Sequence, residues 1–151
     1  MNNSSNRFEQ MSYKLKSAGY KLTPQRVIIL QILSQRQDHP NPDSIYATLK
    51  KQLPTTSPAT IYKTLAVLKN LKEVLEIQYS KESNRYDGYN PIPHPHIHCI
   101  KCKKLSDLNL FVFDQLSEEV QKQTGYQVHS LNLLIDGICP ECQLTSQEDD
   151  K

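Results

Sequence analysis

The 151-residue chain has no apolar run long enough to cross a bilayer, no internal repeat and no recognisable secretory signal. A membrane-spanning helix needs about 20 mostly apolar residues, so the sequence argues against an integral membrane protein of the helical kind. Residues 1–6 (MNNSSN) carry neither the basic nor the apolar segment of a secretory signal. These absences predict a cytoplasmic protein with no membrane partner.

No cysteine stands outside two Cys-x-x-Cys pairs, Cys99/Cys102 and Cys139/Cys142. Without a secretory signal, such pairs are more typical of metal ligands than of disulfides. Two of these turns complete a tetrahedral site, and a closed shell of four thiolates favours structural Zn2+. The alternative is a redox-active pair, but the surrounding order of strands and helices does not resemble a thioredoxin-like domain.

Charge divides the chain into two halves. Residues 1–89 hold 13 Lys/Arg against 7 Asp/Glu, whereas residues 90–151 hold 5 against 9. This asymmetry indicates two domains with different partners, the basic one a candidate for contact with phosphates. A solvated lysine-rich surface is the alternative interpretation of the same charge.

Residues 1–89 predict several short helices followed by a hairpin. A first helix with Phe8, Met11, Leu15 and Ala18 in register ends near Gly19. The next three helices open at proline signals, which are Thr23-Pro24, Pro42-Asp43 and Ser57-Pro58. Alternating apolar residues at 75–79 and a segment at 85–89 then predict two strands. This order is typical of a winged helix-turn-helix.

The fourth helix is the expected DNA-reading element. Ile61 and Leu65 mark its buried stripe, while Thr60, Tyr62 and Lys63 lie on or beside the opposite face. Small, cationic and hydrogen-bonding side chains suit a helix placed in the major groove. We expect those three side chains to contact bases or phosphates, and Arg26 and Arg85 to contact phosphates.

Residues 90–93 (NPIP) predict a hinge, and residues 94–143 a small α/β domain that uses both a structural metal and a partner subunit. Its predicted elements are a strand from Cys99 to Leu110 with a turn at the thiols, a helix over Phe111–Thr124, and a strand marked by Leu131, Leu133 and Ile135. Residues 144–151 predict a disordered tail. The fold class expected is therefore α+β.

Three histidines, His94, His96 and His98, stand at every second position beside prolines that hold the chain extended. Extended backbone places them on one face, where two could bind one ion and the third could be a ligand or a partner of a ligand. Asp87 and Asp107 supply carboxylates nearby. His39 is equally well explained as a turn residue, and His129 is expected to be structural on a strand.

The residues from Leu15 to Cys142 resemble the ferric uptake regulator (Fur) family. The resemblance lies in the order and spacing of matching segments, which are Leu22-Thr-Pro-Gln-Arg26, His39-Pro40, Ser57-Pro-Ala-Thr-Ile-Tyr-Lys-Thr-Leu65, Arg85-Tyr-Asp87, His94-x-His96-x-x-Cys99-x-x-Cys102, Asp107 and Cys139-x-x-Cys142. It departs from the family pattern at three positions: His98 replaces an apolar residue, Lys103 a glycine, and Leu131 a histidine found in many relatives.

The resemblance implies a homodimeric, metal-responsive repressor that binds double-stranded palindromic operator DNA. It implies a regulatory Fe2+ or Mn2+ held by the ligand set His39, Asp87, His94, His96 and Asp107. Aspartate at both carboxylate positions is similar to the peroxide-sensing (PerR) branch, in which iron-catalysed oxidation of a ligand histidine ends repression. An iron- or zinc-responsive repressor without peroxide chemistry is the alternative.

Two other classes of function fit parts of the sequence. A metallohydrolase could use the histidines and aspartates, but no residue is evidently placed as a base and the helix-turn-helix would have no role. A winged helix joined to a zinc site could also be a scaffold of the transcription machinery that responds to no metal.

Overall fold

The computed structural model describes residues 3–79 and 82–146, except for the side chains of Asn3 and Ser146. The chain divides after Ile92 into two compact units. That division lies inside the stretch 90–93, which the sequence predicts to be a hinge. Within the described residues, no helix is long and apolar enough to span a membrane.

The first unit consists of four helices followed by a two-stranded antiparallel ribbon, as expected for a winged helix-turn-helix. Thr23, Asn41 and Ser57 cap the second to fourth helices by accepting backbone N–H donors, and proline follows each cap. The elements are α1 (Asn3–Ser17), α2 (Pro24–Gln35), α3 (Pro42–Gln52), α4 (Pro58–Asn70), β1 (Leu75–Ile77) and β2 (Arg85–Asp87).

One apolar core holds the first unit together. The predicted stripe of α4 lies in this core, since Ile61 and Leu68 are fully buried. Gly19 ends α1 with a φ of 86°, a conformation that favours glycine. The prediction that Ala18 belongs to the first helix was wrong, because Ala18 lies beyond the end of α1 and is exposed. The core consists of Met11, Leu15, Ile29, Leu30, Ile32, Leu33, Ile45, Leu49, Ile61, Leu65, Leu68, Val74 and Tyr86.

The second unit is a three-stranded sheet with two helices. Its central strand runs antiparallel to one neighbour and parallel to the other, in the order β4-β3-β5. The elements are β3 (His96–Cys99), β4 (Leu105–Asp107), α5 (Phe111–Thr124), β5 (Leu134–Gly137) and α6 (Pro140–Ser146). The bounds of α5 are those predicted from the sequence, and Gly125 closes it with a φ of 73°.

Three predictions for the second unit were wrong. The last strand begins at Leu134, so Leu131 and Leu133 precede it, and His129 is an exposed residue outside any strand. The first strand begins before Cys99, at His96. A seven-residue helix, α6, was not predicted and includes residues 144–146 of the expected tail. Residues 147–151 of that tail lie outside the described residues.

The second unit buries little apolar surface. Cys99, Leu105 and Phe113 are its buried apolar residues within the described part of the chain. On α5 the aligned residues Val112 and Val120 are 53% and 41% exposed. Most of this apolar stripe is therefore exposed in the described part of the chain.

Candidate metal centres

The two Cys-x-x-Cys pairs meet in the second unit. The four sulfur atoms lie within 4.8 Å of one another, and Sγ of Cys102 lies 3.7 Å from Sγ of Cys139. A zinc–sulfur bond of about 2.3 Å implies sulfurs about 3.8 Å apart at the corners of a tetrahedron. The four thiols are therefore close enough together to form a tetrahedral Zn2+ site.

Local backbone structure positions these sulfurs. Cys99 ends β3, and the N–H of Lys103 donates to its carbonyl oxygen, which closes the turn that carries Cys102. The backbone N–H of Cys139 donates to Sγ of Cys99 at 3.3 Å. This hydrogen bond, together with those from the backbone of Cys102 and Lys101, lowers the pKa of the Cys99 thiol to about 6, which favours the thiolate that a metal requires. Cys142 lies in α6, the helix that sequence patterns missed.

A second group of ligand atoms in this unit surrounds Asp107. Its Oδ1 lies 3.0 Å from Nε2 of His94 and 3.2 Å from Nε2 of His96. The pairing of β3 with β4 sets His96 opposite Asp107. Ligands about 2.1 Å from an octahedral ion are separated by about 3.0 Å. Each imidazole thus lies at about the distance from the carboxylate that neighbouring ligands of one hard divalent ion have.

His98 is paired with an aspartate that the sequence did not indicate. It lies one pleat beyond His96, and its Nδ1 is 3.0 Å from Oδ1 of Asp136 on β5. Within the described chain it joins no group of three or more potential ligands. Its role as an additional ligand remains a prediction. Asp136 was missed, because only the parallel pairing of β3 with β5 places it opposite His98.

The first unit contributes a buried histidine–carboxylate pair. Nε2 of His39 lies 3.3 Å from Oδ2 of Asp87, and the two side chains are 2% and 4% exposed. The other carboxylate oxygen, Oδ1, accepts the backbone N–H of Asn90 at 2.7 Å. His39 has a φ of 55°, in the left-handed region that residues other than glycine rarely adopt. The contacts around the loop between α2 and α3 must therefore hold His39 in this conformation.

The predicted DNA-contacting residues of α4 lie at its surface. Tyr62 is 55% exposed and Lys63 is also exposed, while Thr60 is half-buried. Arg26 of α2 lies 5.6 Å above the ring of Tyr20 and donates to the carbonyl oxygen of Lys21 at 2.8 Å. Arg26, Thr60 and Lys63 line one open cleft, where a phosphate contact is sterically feasible.

Arg85, which the sequence predicts to contact a phosphate, binds backbone carbonyl groups of the protein in this structure. Its guanidinium donates from Nε to the carbonyl oxygen of His39 at 2.6 Å and from a terminal nitrogen to that of Asp38 at 2.7 Å. The sequence contains no local signal for this interaction, because 46 residues separate Arg85 from His39. Arg85 in this structure is bound to the protein backbone.

Comparisons with known proteins find ferric uptake regulators and peroxide regulators as relatives of this chain. The model of the ferric uptake regulator family matches residues 17–136. The peroxide-responsive repressor PerR of Staphylococcus epidermidis is 36% identical over 135 residues, covering 89% of each protein. The structure of the Campylobacter jejuni peroxide stress regulator is 33% identical with a TM-score of 0.67, covering 87% of this chain and 94% of that one. The Helicobacter pylori ferric uptake regulator Fur has a TM-score of 0.76 over 93% of each chain at 24% identity, a likeness of fold alone.

Proposed function

Because this chain belongs to the ferric uptake regulator family, and is therefore a metal-binding transcriptional repressor and not an enzyme, we propose that it senses hydrogen peroxide through a bound metal ion. The observation that carries the proposal is the pairing of buried histidines with an aspartate in each unit. These pairs are His39 with Asp87 and His96 with Asp107. The relatives named as peroxide regulators support the same function.

The regulatory ion of the proposal takes ligands from both units. His39 and Asp87 come from the first, and the second provides the three ligand side chains around Asp107, which are those of His94, His96 and Asp107 itself. A set of imidazoles and carboxylates suits Fe2+ or Mn2+, whereas the all-sulfur set of Cys99, Cys102, Cys139 and Cys142 suits structural Zn2+. The proposal therefore assigns different metals to the two sites.

Shared ligation links metal binding to DNA binding. Side chains of both units that hold one ion restrict the two units to one relative orientation, which the operator would also select. Such coupling between two ligands is typically worth about 1–3 kcal/mol. Loss of one imidazole donor would release that restriction and weaken repression.

Bound iron would supply the peroxide chemistry, in which hydrogen peroxide gives one oxygen atom to a ring carbon of a ligand imidazole and the other oxygen leaves as water. In this chain His39 or His94 is the ring proposed to be oxidised. An oxidised ring is a poorer donor, so the ligand set loses affinity for the ion. Mn2+ would support repression without this reaction.

The proposed assembly is a cytoplasmic homodimer on double-stranded palindromic DNA. The exposed residues Val112 and Val120, which lie two turns apart on α5, give the helix an apolar face suited to a second copy of the chain. Each copy would then present α4 to one half-site, with Thr60, Tyr62 and Lys63 at base edges or phosphates.

Operator binding measured with Fe2+, Mn2+ and Zn2+, each with and without peroxide, tests the proposal. We expect Fe2+ and Mn2+ to support binding, and peroxide to abolish only the Fe2+-dependent binding. Mass spectrometry should then find one added oxygen on His39 or His94. Oxidation confined to Met11 or to the cysteines would instead identify an iron-responsive repressor, and binding supported by Zn2+ alone would identify a zinc-responsive one.

A further inference from the structure

Three consecutive carbonyl groups around the metal ligand His39 are held by two consecutive residues of β2. Arg85 donates to the carbonyl oxygens of Asp38 and His39, at 2.7 and 2.6 Å. The backbone N–H of Tyr86 donates to the carbonyl oxygen of Pro40 at 3.0 Å. The loop before α3 is thus hydrogen-bonded to β2. The residue that follows Tyr86 in β2 is Asp87, the second proposed ligand in this unit.

This fastening acts on a strained residue. A non-glycine residue in the left-handed region is strained, and His39 has a φ of 55°. Such a conformation persists only when the surrounding structure enforces it. Charge-assisted hydrogen bonds from a planar guanidinium are stronger and more directional than neutral ones. Arg85 therefore has the chemistry and the position to hold His39 in this conformation.

A second arginine, Arg7, binds the backbone next to Asp87, the other member of the His39–Asp87 pair. Arg7 of α1 is buried and donates from Nε to the carbonyl oxygen of Gly88 at 3.0 Å, directly after Asp87. Its remaining donors contact Gln10 and both the backbone and the carboxylate of buried Glu73. The guanidinium thus connects α1 to the segment that carries the carboxylate ligand.

We propose that Arg85 and Arg7 are positioning residues for the regulatory metal, Arg85 through the backbone of His39 and Arg7 through the backbone that follows Asp87. The inference deepens the proposed function and rests on it. It assigns Arg85 a role in metal affinity in place of the phosphate contact that the sequence predicted. It also assigns α1 a part in the metal site, through a residue that precedes the segment matched by the family model.

The test compares Mn2+ affinity and the Co2+ absorption spectrum of zinc-loaded R85M and R7M with those of the unchanged protein. Removal of a hydrogen-bonding partner of a metal ligand typically weakens metal binding about 10- to 100-fold. We expect a loss of that size in both variants, with a Co2+ spectrum altered in intensity or position because a ligand has moved. R85K should recover part of the affinity, since an ammonium can bind one of the two carbonyls.

Lys69→Met and Lys14→Met are matched controls. Lys69 pairs with Glu76 at 2.7 Å, and Lys14, on the same helix as Arg7, lies 3.9 Å from the Glu73 carboxylate that Arg7 also binds. Each variant removes one cation and leaves the hydrogen bonds from Arg85 and Arg7 to backbone carbonyl groups in place. Both should keep the Mn2+ affinity and the Co2+ spectrum of the unchanged protein. An arginine variant that retains its zinc and a cooperative unfolding transition is folded. If R85M is not folded, R85K is used in its place.

Three outcomes separate the possibilities. Unchanged Mn2+ affinity and Co2+ spectrum in folded R85M, R85K and R7M would overturn the inference. If R85M weakened operator binding and its salt dependence while metal affinity stayed the same, Arg85 would be the phosphate contact that the sequence predicted, and the inference would again fail. His39→Ala is measured in parallel, and its failure to reduce Mn2+ affinity would instead reject the proposed metal site itself.

Discussion

Nε2 of His39 lies 3.3 Å from Oδ2 of Asp87, and both side chains are almost completely buried. Buried polar side chains of this kind are usually either paired or bound to a metal. Here the histidine comes from a loop and the carboxylate from the end of a strand 48 residues later in the chain. The pair is therefore a product of the fold of the first unit, and its spacing suits two ligands of one ion.

His39→Ala should abolish metal-dependent operator binding and leave the four-cysteine zinc in place. Loss of a ligand should weaken Mn2+ binding by at least about 100-fold, more than loss of a ligand's partner usually does. Isothermal titration with Mn2+ and the zinc content of the same sample measure both effects. His129→Ala is the control, because His129 is exposed and outside every strand. Normal Mn2+ binding by His39→Ala would contradict the assignment.

Gly88→Ala should destabilise the first unit and disturb Asp87. A Cβ at this position would lie 2.7 Å from Cβ of Leu33 and 3.0 Å from its carbonyl oxygen, and neither atom can move easily. Overpacking of this kind typically costs about 1–3 kcal/mol. Gly137→Ala is the matched control, since its nearest atom would be Cδ1 of Ile97 at 3.6 Å, an ordinary contact. Denaturant unfolding of both variants checks the difference, and equal stabilities would show that Leu33 does not constrain the segment.

The sequence predicted the features that depend on local signals. Cap-plus-proline pairs such as Ser57-Pro58 marked helix starts, and the bounds of α5 followed from its apolar spacing and Gly125. The Cys-x-x-Cys pairs predicted a four-sulfur cluster that the structure confirms. Each of these features needs only a few neighbouring residues to specify it.

Long-range features were beyond such signals. The contacts of Arg85 with His39 and of His98 with Asp136 join residues 46 and 38 positions apart, and depend on strand pairing or loop packing. The late start of β5 was missed because alternating leucines before position 134 have the same pattern as a strand. Sequence motifs predicted the candidate ligands, but only the fold shows which contacts hold these residues.

Removal of zinc should unfold the second unit and spare the first. The second unit has three buried apolar residues in the described chain, too few to form a stable core without help. Zinc binding to such sites supplies about 10–16 kcal/mol, most of which becomes folding free energy. Circular dichroism during chelation should show a partial loss of signal, followed by a separate thermal transition of the first unit. A single transition, or no change on chelation, would contradict a structural role for the site.

Lys63→Ala should weaken operator binding in a salt-dependent way. Lys63 is exposed on α4 next to Tyr62, on the face opposite the buried Ile61. Loss of one phosphate contact should lower the slope of log affinity against log salt by about 1 per subunit. Lys69→Ala is the control on the same helix, because its ammonium pairs with Glu76 at 2.7 Å. Equal slopes for the two variants would remove Lys63 from the DNA interface.

Lys103→Gly should stabilise the zinc-bound second unit. Lys103 follows the second cysteine of the first pair and has a φ of 66°, a conformation that costs a lysine about 1–2 kcal/mol more than a glycine. Part of this gain is offset because glycine makes the unfolded chain more flexible, so we expect a net gain of about 0.5–1 kcal/mol.

Lys101→Gly is the control for that substitution. Lys101 lies in the same turn but has no positive φ, so glycine there brings only the entropic cost and should lower stability by about 0.4–1 kcal/mol. Thermal unfolding and the rate of zinc loss to a chelator measure both variants, and slower zinc loss is expected for Lys103→Gly alone. If both substitutions destabilised the unit equally, the left-handed turn at Lys103 would store no strain.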